Sequence, residues 1–400
     1  MSNELNLTIL QAFQAKMLPN NQILLTRKFI EAIVKFANLW PGSITVLMEE
    51  TRKETDNLDK RIFHLNELPF ELKILSFDTI TPTQFKNQAS IVLATVGYRQ
   101  NHISKICRLA GIPCIYISEY TLKTRKQIAV VANPNNFLRQ FWRSRWEEVQ
   151  EWKQRKAIAL ADGLQCNGTP TYEAYRTLNR DPIIFFDTRI TEDMLATPDD
   201  IEKRSFNRTE NMPLRLVFSG RLNRMKGADH LLDVAKELKQ LGIAFELFIS
   251  GAGELEASMH HRIAEDGLDN CVKMMGVPDF NTVFFPFVKE NADLFICCHR
   301  QGDPSCTYIE TMSCGVPIVG YANEAFVGLV EQSKAGWLVE MNQPKMLAKK
   351  VAELSRNRDE IKKMSFKSLD FAQVHTFDKT FESRILHIKK IAINANVMNQ

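Results

Sequence analysis

The sequence predicts an α/β protein built from two doubly wound domains. Short apolar runs alternate with amphipathic stretches from end to end, the rhythm of β-α-β units around a mostly parallel sheet. A polar, aperiodic stretch, TPDDIEKRSFNRTENMP (197–213), separates two sets of such runs. The chain's 400 residues also exceed what one hydrophobic core ordinarily holds.

In the first set the strands are SITVLME (43–49), FELKILSF (70–77), ASIVLATV (89–96) and PCIYIS (113–118). Helical periodicity lies between them, in RKFIEAIVKFANL (27–39) and in NHISKICRLAG (101–111), the latter stopped by Gly111 and Pro113. The second set opens with LRLVFSG (214–220), a buried strand. A helix follows over ADHLLDVAKELKQLG (228–242), then strands at AFELFISG (244–251), CVKMMG (271–276), ADLFICC (292–298) and PIVGYA (317–322). An amphipathic helix closes the chain at 377–395, with Phe381, Ile385, Ile388 and Ile391 on the side it must bury. The expected organisation is a first domain over 1–196, a linker over 197–213, a second domain over 214–376 and a terminal helix over 377–400.

Composition excludes several classes. A formal charge of +4 is too small to argue for nucleic acid. Apolar stretches such as IVLATVGY (91–98) fall short of the ~18–20 residues that span a bilayer. The opening MSNELNLTIL lacks the basic-then-apolar order of a secretory leader, so a cytoplasmic location is expected. Eight cysteines without CxxC spacing read as reduced thiols rather than as a zinc site.

The chemistry concentrates at strand ends. In LVFSGRLNRMKGADHLLDVA (216–235) a strand ends at Gly220, cations follow, and a helix begins after Gly227. Ligands of doubly wound sheets bind at the carboxyl ends of strands, and helix N-termini favour anions. Arg221 and Lys226 thus stand where a fork-like donor and a point charge could hold a diphosphate; a solvated basic turn is the bland alternative. In QGDPSCTYIETMSCGVPIVGYANEA (301–325) small residues lead from a strand into a helix starting near Cys306 or Thr307, with Glu310 on its first turns. GAGEL (251–255) is a third strand-end turn. Glu256 occupies the place of the third glycine of GxGxxG, which weakens a dinucleotide reading.

In this order, GRLNRMKG, GAGEL, the Gly276 turn and IETMSCGVPIVG resemble the donor half of a family 4 retaining glycosyltransferase, over roughly 214–385. The resemblance implies the GT-B architecture, two facing Rossmann-like domains with the nucleotide-sugar cleft between them. It implies transfer of a hexosyl group from a nucleotide diphosphate sugar with retention, with no cofactor and no metal. Carried over, Gly220, Arg221 and Lys226 hold the diphosphate and Gly251 lets the chain pass close to it. Gly276 and Val277 read the base, and Glu310 bonds the ribose as the second Glu of a Glu-x7-Glu pair. The first Glu is missing: Gly302 stands there, with Asp303 as candidate substitute in a loop continued by Ser305, Cys306 and Thr307. The family's early glycine pair is also missing; Lys16, Asn20, Asn21 and Gln22 are the polar residues nearest its place. Glu119 stands where many members carry a cleft His, with His102 as the other candidate. Arg221, Lys226 and Glu119 are thereby the candidate catalytic residues. An epimerase and a non-catalytic nucleotide-sugar-binding partner subunit of the same fold are the competing readings.

The acceptor, expected on the first domain, stays open between glycan, lipid and small natural product. Between Lys123 and Lys156 nine Lys/Arg face three Glu, interleaved with Trp142, Trp146 and Trp152. That composition suits weak peripheral contact with an anionic membrane, at the inner membrane surface. It equally suits a helix that buries Phe141, Trp142, Val149 and Trp152 as one stripe.

Overall fold

The computed structural model describes residues 5–51, 60–131, 136–206 and 212–398. Seven parallel strands form the first sheet, in the order Pro182–Phe185, Gly163–Asn167, Cys114–Ser118, Ile91–Thr95, Leu7–Leu10, Ile44–Met48, Glu71–Ile74. Six parallel strands form the second: Val272–Gly276, Phe245–Ser250, Leu214–Ser219, Leu294–Cys297, Ile318–Tyr321, Trp337–Val339. Central strands such as Ile91–Thr95 and Leu294–Cys297 are apolar almost throughout because helices cover both faces. This is the GT-B arrangement.

The terminal helix Phe377–Met398 packs on the first domain. Phe381 meets Phe36 edge to face at 5.1 Å, and Arg384 Nε donates to Gln165 Oε1 at 2.9 Å. Its apolar stripe of Phe381, Ile385, Ile388 and Ile391 joins the core formed by Leu7, Ile44 and Ile91.

Three expectations need correction. The stretch 197–213 contains a helix, Pro198–Phe206, rather than only an aperiodic linker. Thr197 and Asp200 cap it reciprocally, Asp200 N–H donating to Thr197 Oγ1 at 3.1 Å and Thr197 N–H to Asp200 Oδ2 at 2.8 Å. Its buried side is only Ile201 and Arg204, too short a stripe for periodicity to register; the Arg204 guanidinium caps the carbonyl of Cys314 at 2.9 Å.

The second correction concerns Lys16, Asn20, Asn21 and Gln22, which belong to a hairpin of Lys16–Leu18 with Gln22–Thr26, extended by Lys60–His64. Asn20 and Asn21 adopt φ of 58° and 56° at its tip, the left-handed central pair of a turn that Gln22 N–H closes onto the Pro19 carbonyl at 3.3 Å, and Gln22 Nε2 meets His64 Nε2 at 3.1 Å.

Third, the helix Phe137–Leu160 does not bury the aromatic stripe. Phe141, Trp142, Val149 and Trp152 are 53–69% exposed, whereas Glu147 and Gln154 are buried. The acids decide the orientation. Arg125 on the adjacent helix Leu122–Val131 donates to Glu147 Oε2 (3.0 Å) and Glu151 Oε2 (2.8 Å), so the carboxylates turn inward.

Candidate functional site

The carboxyl ends of strands from both sheets carry the polar residues of the cleft: Glu119 and Tyr120 after Cys114–Ser118, Asp187 after Pro182–Phe185, Arg221 after Leu214–Ser219, and the loop 298–305 after Leu294–Cys297. In the second domain these turns meet backbone against backbone. A Cβ on Gly251, whose φ is +143°, would lie 1.9 Å from the Gly220 carbonyl oxygen; one on Gly227, at φ +68°, would lie 2.0 Å from that of Cys298. Glycine is required at both. Gly227 thereby brings the start of the helix Ala228–Gln240 against the loop after Leu294–Cys297.

Lys226 is nearly buried and its Nζ lies 3.0 Å from Asp303 Oδ2. Burial pushes the Asp303 carboxyl up, but Lys226 and its neighbours outweigh this and hold it below the usual carboxylate range. Arg221 is exposed, has no ion partner among the described residues, and acts electrostatically on Tyr120 of the first domain. Asp303 therefore serves as the resting counter-ion of Lys226, while the guanidinium of Arg221 is uncommitted.

The first domain answers with its own charges. Lys28, one residue into the helix Arg27–Leu39, donates to Asp187 Oδ2 at 2.6 Å and to Cys306 Sγ at 2.9 Å. Burial pushes the Cys306 thiol up to about 12, with Asp187 adding to it. Arg384, arriving on the terminal helix, is lowered to about 10 by burial, against the pull of Asp187 and Glu119. Glu119 has solvent access along the cleft, yet protein surrounds its carboxyl. Burial and then Asp187 raise its pKa, with Lys28 and Arg384 opposing. His102 is spent on the Phe77 carbonyl at 3.1 Å.

Glu310 is buried on the helix Cys306–Ser313, and its Oε1 accepts from Arg189 Nε at 2.8 Å. Arg189 also lies over the Phe280 ring, 4.3 Å from its centroid. Gly276, at φ +64°, accepts from Gly251 N–H at 2.7 Å, and Val277 beside it is 55% exposed. Ser305 precedes the helix start, so Cys306 and Thr307 contribute amides that lack partners within the helix. Gly302 is tied to the first domain: Thr124 Oγ1 donates to its carbonyl at 3.4 Å and its N–H to Gln127 Oε1 at 3.3 Å.

Sequence reasoning thus collected Arg221, Lys226, Asp303, Cys306 and Glu119, which the fold gathers around one cleft. It missed Lys28, Asp187, Arg189 and Arg384. Asp187 and Arg189 carried a usable signal, since FFDTRIT (185–191) is polar directly after a strand end. Lys28 and Arg384 carried none, because each reads as an ordinary cation on an amphipathic helix. All eight cysteines are unpaired.

Residues 199–368 match the family model of the glycosyl transferases, group 1. WcaL of Salmonella typhimurium, a glycosyltransferase named for colanic acid biosynthesis, is 30% identical over 151 residues, covering 36% of this chain and 37% of that protein. The amylovoran biosynthesis glycosyltransferase AmsK of Erwinia amylovora is 29% identical over 157 residues, 38% of each. The chain spans somewhat over a third of the length of these curated relatives. Among solved structures, Anabaena Alr3699/HepE in complex with UDP superposes with a TM-score of 0.65 at 14% identity, covering 96% of this chain and 98% of that one. The match covers the whole two-domain frame and therefore speaks for the fold. The segment that builds the basic strand-end turn, the glycine turns and the Glu310 helix is thus similar to the glycosyl transferases of group 1, and the two-domain frame has the GT-B fold.

Proposed function

We propose that this protein is a retaining glycosyltransferase that moves a hexosyl group from a nucleotide diphosphate sugar to an acceptor hydroxyl without a metal ion. One observation carries the reading: buried Lys226, just before the helix Ala228–Gln240, reaches Asp303 ahead of the helix Cys306–Ser313, with Arg221 exposed and uncommitted after the same strand end. Negative charge grows on the departing diphosphate as the glycosidic bond breaks. Fixed cations aimed there stabilise the transition state more than the ground state. On binding, the diphosphate replaces Asp303 as the partner of Lys226. The Gly220 and Gly251 turns let it approach the backbone, and the amides of Cys306 and Thr307, after Ser305, add donors. Glu310 accepts from the ribose, and the Gly276–Val277 turn faces the base. The acceptor hydroxyl attacks on the face the diphosphate leaves and passes its proton to the departing phosphate, which requires no protein nucleophile. Glu119, at the strand end that faces the cleft, stands beside the reacting sugar.

The acceptor side includes the exposed helix Phe137–Leu160. Its exposed residues include Phe137, Leu138, Trp142 and the cations Arg139, Arg145 and Lys153. Apolar rings among cations, with Glu147 and Glu151 turned inward and Glu148 paired with Lys126 and Arg145, suit peripheral contact with an anionic leaflet on the cytoplasmic side. No helix among the described residues is long and apolar enough to cross a membrane. Flotation with vesicles containing phosphatidylglycerol should capture the protein, and Trp142→Ser with Phe141→Ser should release it. Equal recovery with zwitterionic vesicles in high salt, or no capture at all, would remove the membrane from the proposal.

The donor reading is tested by melting the protein against UDP, GDP, ADP and TDP with Glu310→Ala as control. UDP comes first, because the similar fold of HepE is seen in complex with it. Ligand binding to the native state raises the melting temperature with the logarithm of concentration over Kd. A shift with one nucleotide, lost in Glu310→Ala, is expected. No shift with any would favour the non-catalytic partner, and sugar interconversion without acceptor would favour the epimerase.

A further inference from the structure

Residue 302 has no side chain, and a carboxylate from a different helix stands where one would project. A Cβ built on Gly302 would lie 3.1 Å from both Cβ and Oε2 of Glu324 and 3.4 Å from Thr124 Oγ1. The Gly302 backbone lies outside the left-handed region, so its conformation does not demand glycine; the space is simply taken. Glu324 opens the helix Glu324–Ser333. Its Oε1 meets Lys123 of the first domain at 2.9 Å. Its Oε2 is enclosed and has no hydrogen-bond partner among the described residues.

An enclosed carboxylate oxygen left unbonded is costly and calls for a donor. The helix N-terminus stabilises the charge but does not bond this oxygen. The next residue of the Gly302 loop is Asp303, the counter-ion of Lys226, so the orphan oxygen borders the loop at the diphosphate end of the cleft. A hexosyl group held on that diphosphate presents hydroxyl donors.

We propose that Glu324 supplies, from the neighbouring helix, the carboxylate that accepts a hydrogen bond from a hydroxyl of the transferred sugar, in the place left empty by Gly302. The assignment rests on the transferase reading above and names the group that reads the sugar rather than the nucleotide.

The test separates sugar from nucleotide. The parent, Glu324→Ala, Glu324→Gln, Lys123→Ala and the exchange variant Gly302→Glu/Glu324→Gly are melted with UDP and with UDP-glucose, and donor hydrolysis is followed by UDP release. Glu324→Ala should keep the UDP shift, lose the extra shift given by the sugar, and fall about 10–100-fold in kcat/KM, the scale of a hydrogen bond to a charged group. The exchange variant should recover most of that loss, since removing the Glu324 side chain opens the space a Glu at 302 needs. Lys123→Ala, which removes the ion pair and keeps the carboxylate, should behave as the parent. If Lys123→Ala reproduces the loss, Glu324 is only a tie between domains and the assignment falls. It also falls if both Glu324 variants keep the sugar-dependent shift, or if they lose the UDP shift itself. No shift with either ligand in the parent would overturn the transferase reading and this assignment with it.

Discussion

The two walls of the cleft are made of different material. On the second domain the strand-end turns close by backbone approach: Gly251 lies under the Gly220 carbonyl, Gly227 under that of Cys298, and Gly276 accepts from Gly251 N–H. On the first domain the wall is a set of charged side chains, Lys28, Glu119, Asp187 and Arg384, drawn from separate elements of the chain. A wall of glycine turns offers helix starts and amides at fixed positions, which suits the constant part of a ligand, a diphosphate. A wall of side chains can be exchanged residue by residue, which suits the variable part.

The contrast can be broken first at the charges. Lys226→Ala and Arg221→Ala should each cut turnover about 100-fold or more, the scale of losing one preorganised electrostatic contact. Full activity in both would mean that the glycine wall holds no diphosphate. Backbone closure is tested next. Gly251→Ala should destabilise by ~2–4 kcal/mol in urea unfolding, because the new methyl meets a carbonyl oxygen at a strained φ. Gly97→Ala in the first domain, where an added Cβ meets nothing within 4 Å, should be near neutral. Similar losses at both glycines would erase the distinction between the walls.

Two smaller effects concern pH. His299 is fully buried against Phe218 and Tyr308, with neither ring nitrogen partnered among the described residues. Burial, with Lys226 adding, lowers its pKa to about 3. The unfolded chain then takes up this proton first, so the stability is complete above about pH 6.5 and lost as pH falls toward 3. His299→Phe should flatten that decline in melting scans between pH 7 and 4. Glu119 has the opposite sign. Its raised pKa makes the ionised form a burden on the fold, so stability falls as pH rises from the unfolded value of about 4.3 through the higher folded one. Glu119→Gln should therefore melt slightly higher than the parent at pH 7, with no gain at pH 4, while transfer slows. A lower melting point at pH 7 would show the carboxylate to be a structural tie.

The two walls also differ in how far the sequence discloses them. GRLNRMKG, GAGEL and IETMSCGVPIVG are contiguous, because a strand-end turn brings its own glycine, cation and helix start in sequence order. The Lys28–Asp187–Cys306 cluster joins residues 159 and 278 positions from Lys28, and no local pattern marks such a meeting. The helix Phe137–Leu160 shows the same limit. Its apolar residues read equally well as a buried stripe, and only the pairing of Glu147 and Glu151 with Arg125 settles which side turns in. Periodicity likewise passed over Pro198–Phe206, whose buried contacts are Ile201 and Arg204 alone.

The sequence by itself determined the two parallel-sheet domains, the terminal helix and the glycine-and-cation loops of the second domain. These rest on local alternation, turn chemistry and capping, which act within a few residues. Tertiary structure decided which distant residues meet: Asp303 on Lys226 and Glu324 in the space beside Gly302 within the second domain, and Arg189 on Glu310 between the two halves. Such pairs form only when folding brings strand ends that are far apart in sequence side by side, and a burial cost shared between distant residues leaves no periodicity to read.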